Sequence, residues 1–327
     1  MSTKKETKII TEFWDKIDPR KIEDYLSVGG YGALSKFVSG MTREGVLFEI
    51  KKSRLCGRGG AGFPTGEKLE MVKNNPEKEK YLICNLDESE PGNWKDRMLA
   101  RKNPHQILEG IIIEALIVGA RKAFIYLNGN FEQEREILEH AIAEAERKNF
   151  IGEEILGSEY SLEVSIFIGA GAYVCGEETA LINSMEGNRG EPKVRPPFPT
   201  EAGLFGKPTI VNNAETLSNI SWIILNGGEK YAKIGSPDSP GTKLFSVSGA
   251  VKNPGIYEAP LGNTIREIIE NHAGGMKDEK ELWFAQLGGA SGRLVLTDEL
   301  DTSLEYKKVA FSLTIAKACK MAGFYYN

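Results

Sequence analysis

The sequence predicts an α/β fold, a parallel sheet with flanking helices, followed by a small β-grasp module and the start of a helical domain. Three observations carry this reading. Short apolar runs of strand length alternate with helical periodicity between Tyr81 and Gly187, and strands alternating with helices imply parallel pairing through right-handed crossovers. Near Gly241 the texture changes to two short strands around a turn and then a helix. Glycine is abundant, 36 of 327 residues against about 7 % in average usage, and it is clustered, as in backbone built around a ligand.

Residues 1 to 65 read as a polar, helix-prone segment ending in the glycine-rich loop SRLCGRGGAGFPTG. The nucleotide-sized unit then runs from 66 to 240. YLICNL is its first strand, and Pro104 suits the first turn of the helix that carries ILEGIIIEALIVGA. AFIYLN follows as a second strand, FEQEREILEHAIAEAERK as an amphipathic helix, and VSIFIG as a third strand leading into GAGAYVCGEETALINSMEG. The proline-rich stretch after Gly187 is too long for an ordinary connection and reads as a binding loop that resumes as helix near Asn213. KLFSVSGAVKNPGIYEAPLGNTIREIIENHAGG opens the β-grasp module of residues 241 to 305, and 306 to 327 form a helical stub that stops without a cap, as if cut.

Composition excludes several functions. With 41 basic and 46 acidic residues, a net charge of -5 offers no footprint for nucleic acid. The amino terminus lacks the apolar core of a signal peptide. The most apolar stretch, residues 107 to 120, is broken by Glu109 and Glu114 and falls short of the ~20 residues of a membrane span. Four dispersed cysteines, Cys56, Cys84, Cys175 and Cys319, suit reduced thiols in a cytoplasmic protein, and none is assigned to a metal. His105, His140 and His272 are isolated and read as packing or surface residues, and no serine or cysteine sits in a nucleophile context.

Gly57, Gly59 and Gly62 satisfy a GxGxxG pattern, but EIKKSRLC before them is a poor strand, which argues against a Rossmann dinucleotide site. The loop reads instead as a seat for a flat or phosphorylated ligand, with Arg58 and Lys68 as cationic partners. Asn85, Asp87, Glu88, Ser89 and Glu90 crowd polar groups after the first strand, and alone would pass for a solvated turn. Glu177 and Glu178 open a helix, where amino-terminal capping explains them equally well. Both clusters follow strands of one parallel sheet, beyond whose carboxyl ends ligands collect.

Five blocks, GRGGAGFPTG (57 to 66), CNLDESEPG with KDR following (84 to 97), AYVCGEETALINSMEG (172 to 187), RPPFP (195 to 199) and GKPTIVNNAETL (206 to 217), together resemble the flavin- and NADH-binding subunit of respiratory complex I. The family extends to NAD-linked hydrogenases and formate dehydrogenases, and the ESEPG block looks more like the complex I branch. The likeness spans nearly the whole chain from about residue 15. It implies a fold of the complex I FMN-binding type, and FMN in a pocket made by Gly57, Arg58, Gly59, Gly60, Lys68, Asn85, Asp87, Ser89, Tyr173, Gly176, Glu177, Val211, Asn212, Asn213 and Thr216. It places NADH over the flavin with adenine near Phe63 and Phe198, and Glu90 and Glu178 near the nicotinamide amide and ribose.

The implied reaction is hydride transfer from NADH to FMN, with side chains orienting rather than acting as nucleophiles. Electrons would leave through iron-sulfur clusters of partners, a thioredoxin-like 2Fe-2S subunit and a large cluster-rich subunit, with membrane attachment only through them on the cytoplasmic face. In the family a cysteine-rich 4Fe-4S block follows the segment resembling MAGFYYN; here the sequence ends at Asn327 without those ligands, and Cys319 precedes the block. Between Tyr306 and Phe311 the β-grasp module also lacks a segment usual in the family. Arg54, Cys56, Met71 and Arg195 differ from the residues common at those positions. Readings kept open beside this one are a diaphorase subunit of a hydrogenase or formate dehydrogenase, and a non-catalytic assembly subunit.

Overall fold

The computed structural model describes residues 7–290 and 292–306. Cys319, the 307–311 segment of the module and, apart from Tyr306, the expected helical stub lie outside them. Three helices lead in, α1 (Ile22–Ser27), α2 (Gly32–Gly40) and α3 (Arg43–Ser53), and the glycine loop joins α3 to α4 (Thr65–Asn74). Among the described residues it is α3, not a strand, that leads into the GxGxxG pattern, which removes the Rossmann geometry that the pattern alone suggests.

The sheet unit runs β1 (Tyr81–Leu86), α5 (Lys95–Lys102), α6 (Pro104–Val118), β2 (Lys122–Asn128), α7 (Glu132–Arg147), β3 (Glu163–Gly169), α8 (Glu178–Met185), α9 (Pro199–Ala202) and β4 (Thr209–Asn213). Its four strands are all parallel, in the order β3-β2-β1-β4, with Cys84 of β1 opposite Ile125 on one side and Asn212 on the other. β4 corrects the sequence reading, which took residues 188 to 212 as one loop. Its polar end and its start next to Pro208 hide it, and pairing with β1 makes it a strand. β1 and β4 are thus neighbours from distant parts of the chain, the switch point at which a parallel sheet opens a crevice beyond its carboxyl ends.

α6 is the hub of the core: all 15 of its residues are buried. Asn103 caps its start by accepting from the Gln106 N–H, Pro104 occupies the first turn, and Gly119 ends it at φ 80°. Its carboxylate Glu109 accepts from the Tyr25 hydroxyl at 2.7 Å and from the Ala33 and Leu34 N–H groups, closing the start of α2. The short helices α10 (Ala214–Ser218), α11 (Ile220–Asn226) and α12 (Gly228–Ala232) follow β4. α10 crosses α6 so closely that a Cβ on Gly110 would lie 2.2 Å from the Leu217 carbonyl.

Past a small ribbon of β5 (Gly235–Ser236) and β6 (Ser239–Pro240), the module has two antiparallel pairs, β7 (Thr242–Val247) with β8 (Gly255–Pro260) and β9 (Phe284–Leu287) with β10 (Arg293–Leu296). Between the pairs, α13 (Ile265–Glu267) continues as a π-helical turn through His272. The module has its own apolar cluster around Val251, Ile265, Ile268 and Leu300. Polar bonds tie it to the rest: Glu258 on β8 accepts from the N–H groups of Ile9, Ile10 and Thr11.

Candidate functional site: a crevice at the switch point

A crevice of about 2600 Å³ opens beyond the carboxyl ends of β1 and β4. That exceeds the ~300–1,000 Å³ of a pocket for one small ligand, because its lining reaches from the strand ends across to Leu244, Ile268 and Phe284 of the module. Every candidate site residue named from the sequence lines it, as do Met71 and Arg195; Arg54 and Cys56 do not.

The glycine loop forms one wall. A Cβ on Gly59 would come within 3.1 Å of Asn213 Cβ, and Gly62 holds φ 66°, so the loop approaches the strand ends as only bare backbone can. Arg58 behaves differently from the sequence expectation of a cation facing a phosphate. Its side chain is buried, and its five donors reach the carbonyls of Cys56, Pro240 and Thr242 and the hydroxyls of Tyr231 and Tyr306. The guanidinium therefore anchors the loop from behind, and its own backbone N–H donates to Thr216 Oγ1.

Lys68, on α4, lines the crevice along with the glycine loop's backbone. Its ammonium donates to Glu178 Oε2 at 2.8 Å and to the Val211 carbonyl at 2.7 Å. The neighbouring carboxylates divide their tasks. Glu177 caps α8, accepting from the Thr179 and Ala180 N–H groups at 2.9 Å, as the capping account expects. Glu178 instead pairs with Lys68 and, at 3.1 Å, with Arg195, which also bonds Glu177. Phe63, Phe198 and Tyr173 are all exposed at the crevice.

At the end of β1, Asn85 donates to the Gly176 carbonyl at 2.9 Å, and Ser89 receives a bond from Asn128. Asp87 is buried with Oδ2 lacking any protein partner, and burial pushes its acid up to about 6. Protonation of the acid relieves the cost of that orphaned oxygen, in keeping with the upward shift. Glu90 accepts from the Tyr173 hydroxyl and, at 2.8 Å, from the Ala290 N–H, so the module's Gly288–Ala290 turn reaches the crevice rim.

The floor joins Glu88 to charged residues that were not singled out from the sequence, Lys95, Asp96, Glu215 and Lys243. Lys95 of α5 lies between Asp96 at 2.7 Å and Glu215 at 3.0 Å, and Lys243 of β7 also reaches Glu215. Burial works against each charge. Asp96 and Glu215 still raise the Lys95 pKa overall, whereas burial prevails at Lys243 and lowers it to about 8. Glu88 accepts from the Asp96 and Arg97 N–H groups, yet burial and then the Asp96 charge raise it to about 7. The available signal was adjacency: Lys95 and Asp96 stand in the KDR block, and Glu215 in NNAETL.

A parallel sheet with its switch point between β1 and β4, a glycine loop without a Rossmann strand and a lysine at the ligand space mark an α/β protein with a nucleotide-sized site at its switch point. Residues 50–222 match the family model described as the Nuo51 FMN-binding domain, and residues 244–294 match an SLBB domain. The chain belongs to this family of FMN-binding subunits of NADH oxidoreductases. It is 46 % identical over 316 residues to an NADH-quinone oxidoreductase subunit of Aquifex aeolicus, covering 93 % of this chain and 73 % of that one. It is 41 % identical over 307 residues to the NADP-reducing hydrogenase subunit HndC of Solidesulfovibrio fructosivorans, covering 94 % and 62 %. Among solved structures it resembles an NAD+-reducing [NiFe]-hydrogenase in the H2-reduced state, with a TM-score of 0.79 and 35 % identity, spanning 93 % of this chain and about half, 49 %, of that one. These relatives are subunits of multi-subunit enzymes. Among the described residues no helix is long and apolar enough to cross a membrane.

Proposed function

We propose that the crevice holds FMN and oxidises NADH, making the chain the electron-entry subunit of a multi-subunit NADH-quinone oxidoreductase. The observation that carries this is the crevice at the switch point between β1 and β4, lined together by the glycine loop, Asn85, Asp87 and Lys68. These residues fit the group. The loop offers bare backbone, Lys68 a cation for phosphate, Asn85 and Asp87 hydrogen-bond partners for ring or ribityl polar atoms, and Phe63 and Phe198 exposed rings for adenine. Bound FMN supplies hydride acceptance and one-electron release, chemistry that no side chain here offers.

The chain's residues bind and orient. Glu90, bonded by the neutral Tyr173 hydroxyl and Ala290 N–H, places a carboxylate where a 2′-phosphate would be repelled, which favours NADH over NADPH, while Glu178 beside Lys68 and Arg195 is an acceptor for ribose hydroxyls. Residues 66 to 240, with the glycine loop before them, then carry the cofactor chemistry, and the module of 241 to 305 lies beside them. Electrons leave through a thioredoxin-like 2Fe-2S subunit and a large iron-sulfur subunit, which also hold the assembly at the cytoplasmic membrane.

Flavin fluorescence titration tests the site. FMN is expected to bind with one-to-one stoichiometry, and Lys68→Met to weaken it at least about tenfold, since a charged hydrogen bond contributes about 1.5–3 kcal/mol. Absence of saturable binding by the folded chain would contradict the reading.

A further inference from the structure

A buried acid stands directly behind the crevice wall and has no part in the chemistry above. Glu114 of α6 is fully buried. Its Oε2 accepts from Asn212 Nδ2 at 2.7 Å, while its Oε1 has no protein partner. Asn212 lines the crevice, and Lys68, one of the cations that line it, is the charge that acts on Glu114. Within the core the Cys84 thiol of β1 feels Glu114, together with Lys95 and Asp96 of α5. The acids that α10 and α7 bring to α6 are held elsewhere: Glu215 by Lys95 and Lys243, Glu134 by Arg97 and Arg101, Glu144 by Arg147.

We propose that Glu114 is a positioning residue whose bound proton keeps Asn212 and Lys68 available to the anionic nucleotide, and whose ionisation opposes nucleotide binding. The proposal rests on the reading that the crevice binds FMN. Ionised, Glu114 is an acceptor only and requires the Asn212 amide N–H, and its negative charge offsets the Lys68 field that attracts phosphate. Protonated, it removes that charge and can instead donate to Asn212 Oδ1, which frees the amide group to turn its donors toward the ligand. Burial favours the second state and pushes the acid up to about 8, with the Asn212 bond and the Lys68 charge acting in the other direction.

The sign follows from linkage. A phosphate entering near Lys68 adds negative charge, which makes ionisation of Glu114 harder, so the pKa is higher in the complex than in the free protein. Reciprocally, the protonated protein binds the nucleotide more tightly. Affinity is therefore full below the pKa of the free protein and falls as pH rises through it, tenfold for about each unit by which binding raises the pKa.

The test compares FMN dissociation constants of the wild type and Glu114→Gln, whose side chain is neutral at every pH. Asp87, Glu88 and Lys243 also line the crevice and titrate in this range, and both proteins share them, so only the difference between profiles is read. At pH 6 the two constants should agree within about twofold, and by pH 9 the wild type should bind about five- to tenfold more weakly than the variant. Infrared spectra of the ligand-free wild type at pH 7 should show a protonated-carboxyl band that the variant lacks, and FMN should move its titration to higher pH. Parallel binding profiles, or no such band, overturn this proposal alone. Failure of both proteins to bind FMN at any pH overturns the reading of the site and the proposal with it. Should Glu114→Gln not fold, Glu114→Met serves in its place.

Discussion

Arg58 shows how a residue in a ligand loop can serve the ligand without touching it. Each of its five donors has an acceptor, and those acceptors come from β6, β7, α12, the loop itself and Tyr306. Lysine has three donors on one point and cannot span that set. Arg58→Lys should destabilise the fold by about 2–4 kcal/mol, because buried carbonyls and hydroxyls lose their partners, and should weaken FMN binding by loosening the loop. Urea denaturation and flavin titration measure the two effects, and a variant with unchanged midpoint and affinity would refute the anchoring role. This arrangement was illegible in the sequence. The tyrosines that receive the guanidinium lie 173 and 248 positions away, and a lone arginine between glycines reads naturally as a phosphate ligand. Lys95, Glu215 and Lys243 were hidden for a similar reason, since charged residues in three separate segments read as surface until the fold buries them together.

At the scale of elements, the strands that could be read were those whose own apolar content identifies them. YLICNL, AFIYLN and VSIFIG appear as β1, β2 and β3 with boundaries shifted by at most one residue. β4 has only Ile210 and Val211 as apolar members before two asparagines, so its strand character comes from the register with β1. The same asparagines make it useful, since a strand ending in polar residues at the switch point delivers them to the ligand. α6 was predicted from its apolar run, yet its position as hub depends on one small residue. Gly110→Ala would press a methyl group on the Leu217 carbonyl. It should cost about 1–3 kcal/mol and displace α10 with its Glu215 and Thr216. A thermal melt checks this, and an unchanged Tm would mean that the helices separate without strain.

Across the whole molecule, the module beyond residue 241 helps build the site. Lys243 donates to the Arg58 carbonyl, Thr242 and Pro240 accept from the Arg58 guanidinium, and the Ala290 N–H reaches Glu90. One continuous polar frame thus holds the glycine loop, the strand ends and the rim carboxylate around a single crevice. That crevice is the basis of the claim that two nucleotides meet there and pass a hydride. Anaerobic addition of NADH to the FMN-loaded protein tests it most directly. The flavin's visible absorbance should bleach within the mixing experiment with NADH and much more slowly with NADPH. A flavin that is bound one-to-one yet stays oxidised in excess NADH would contradict the account.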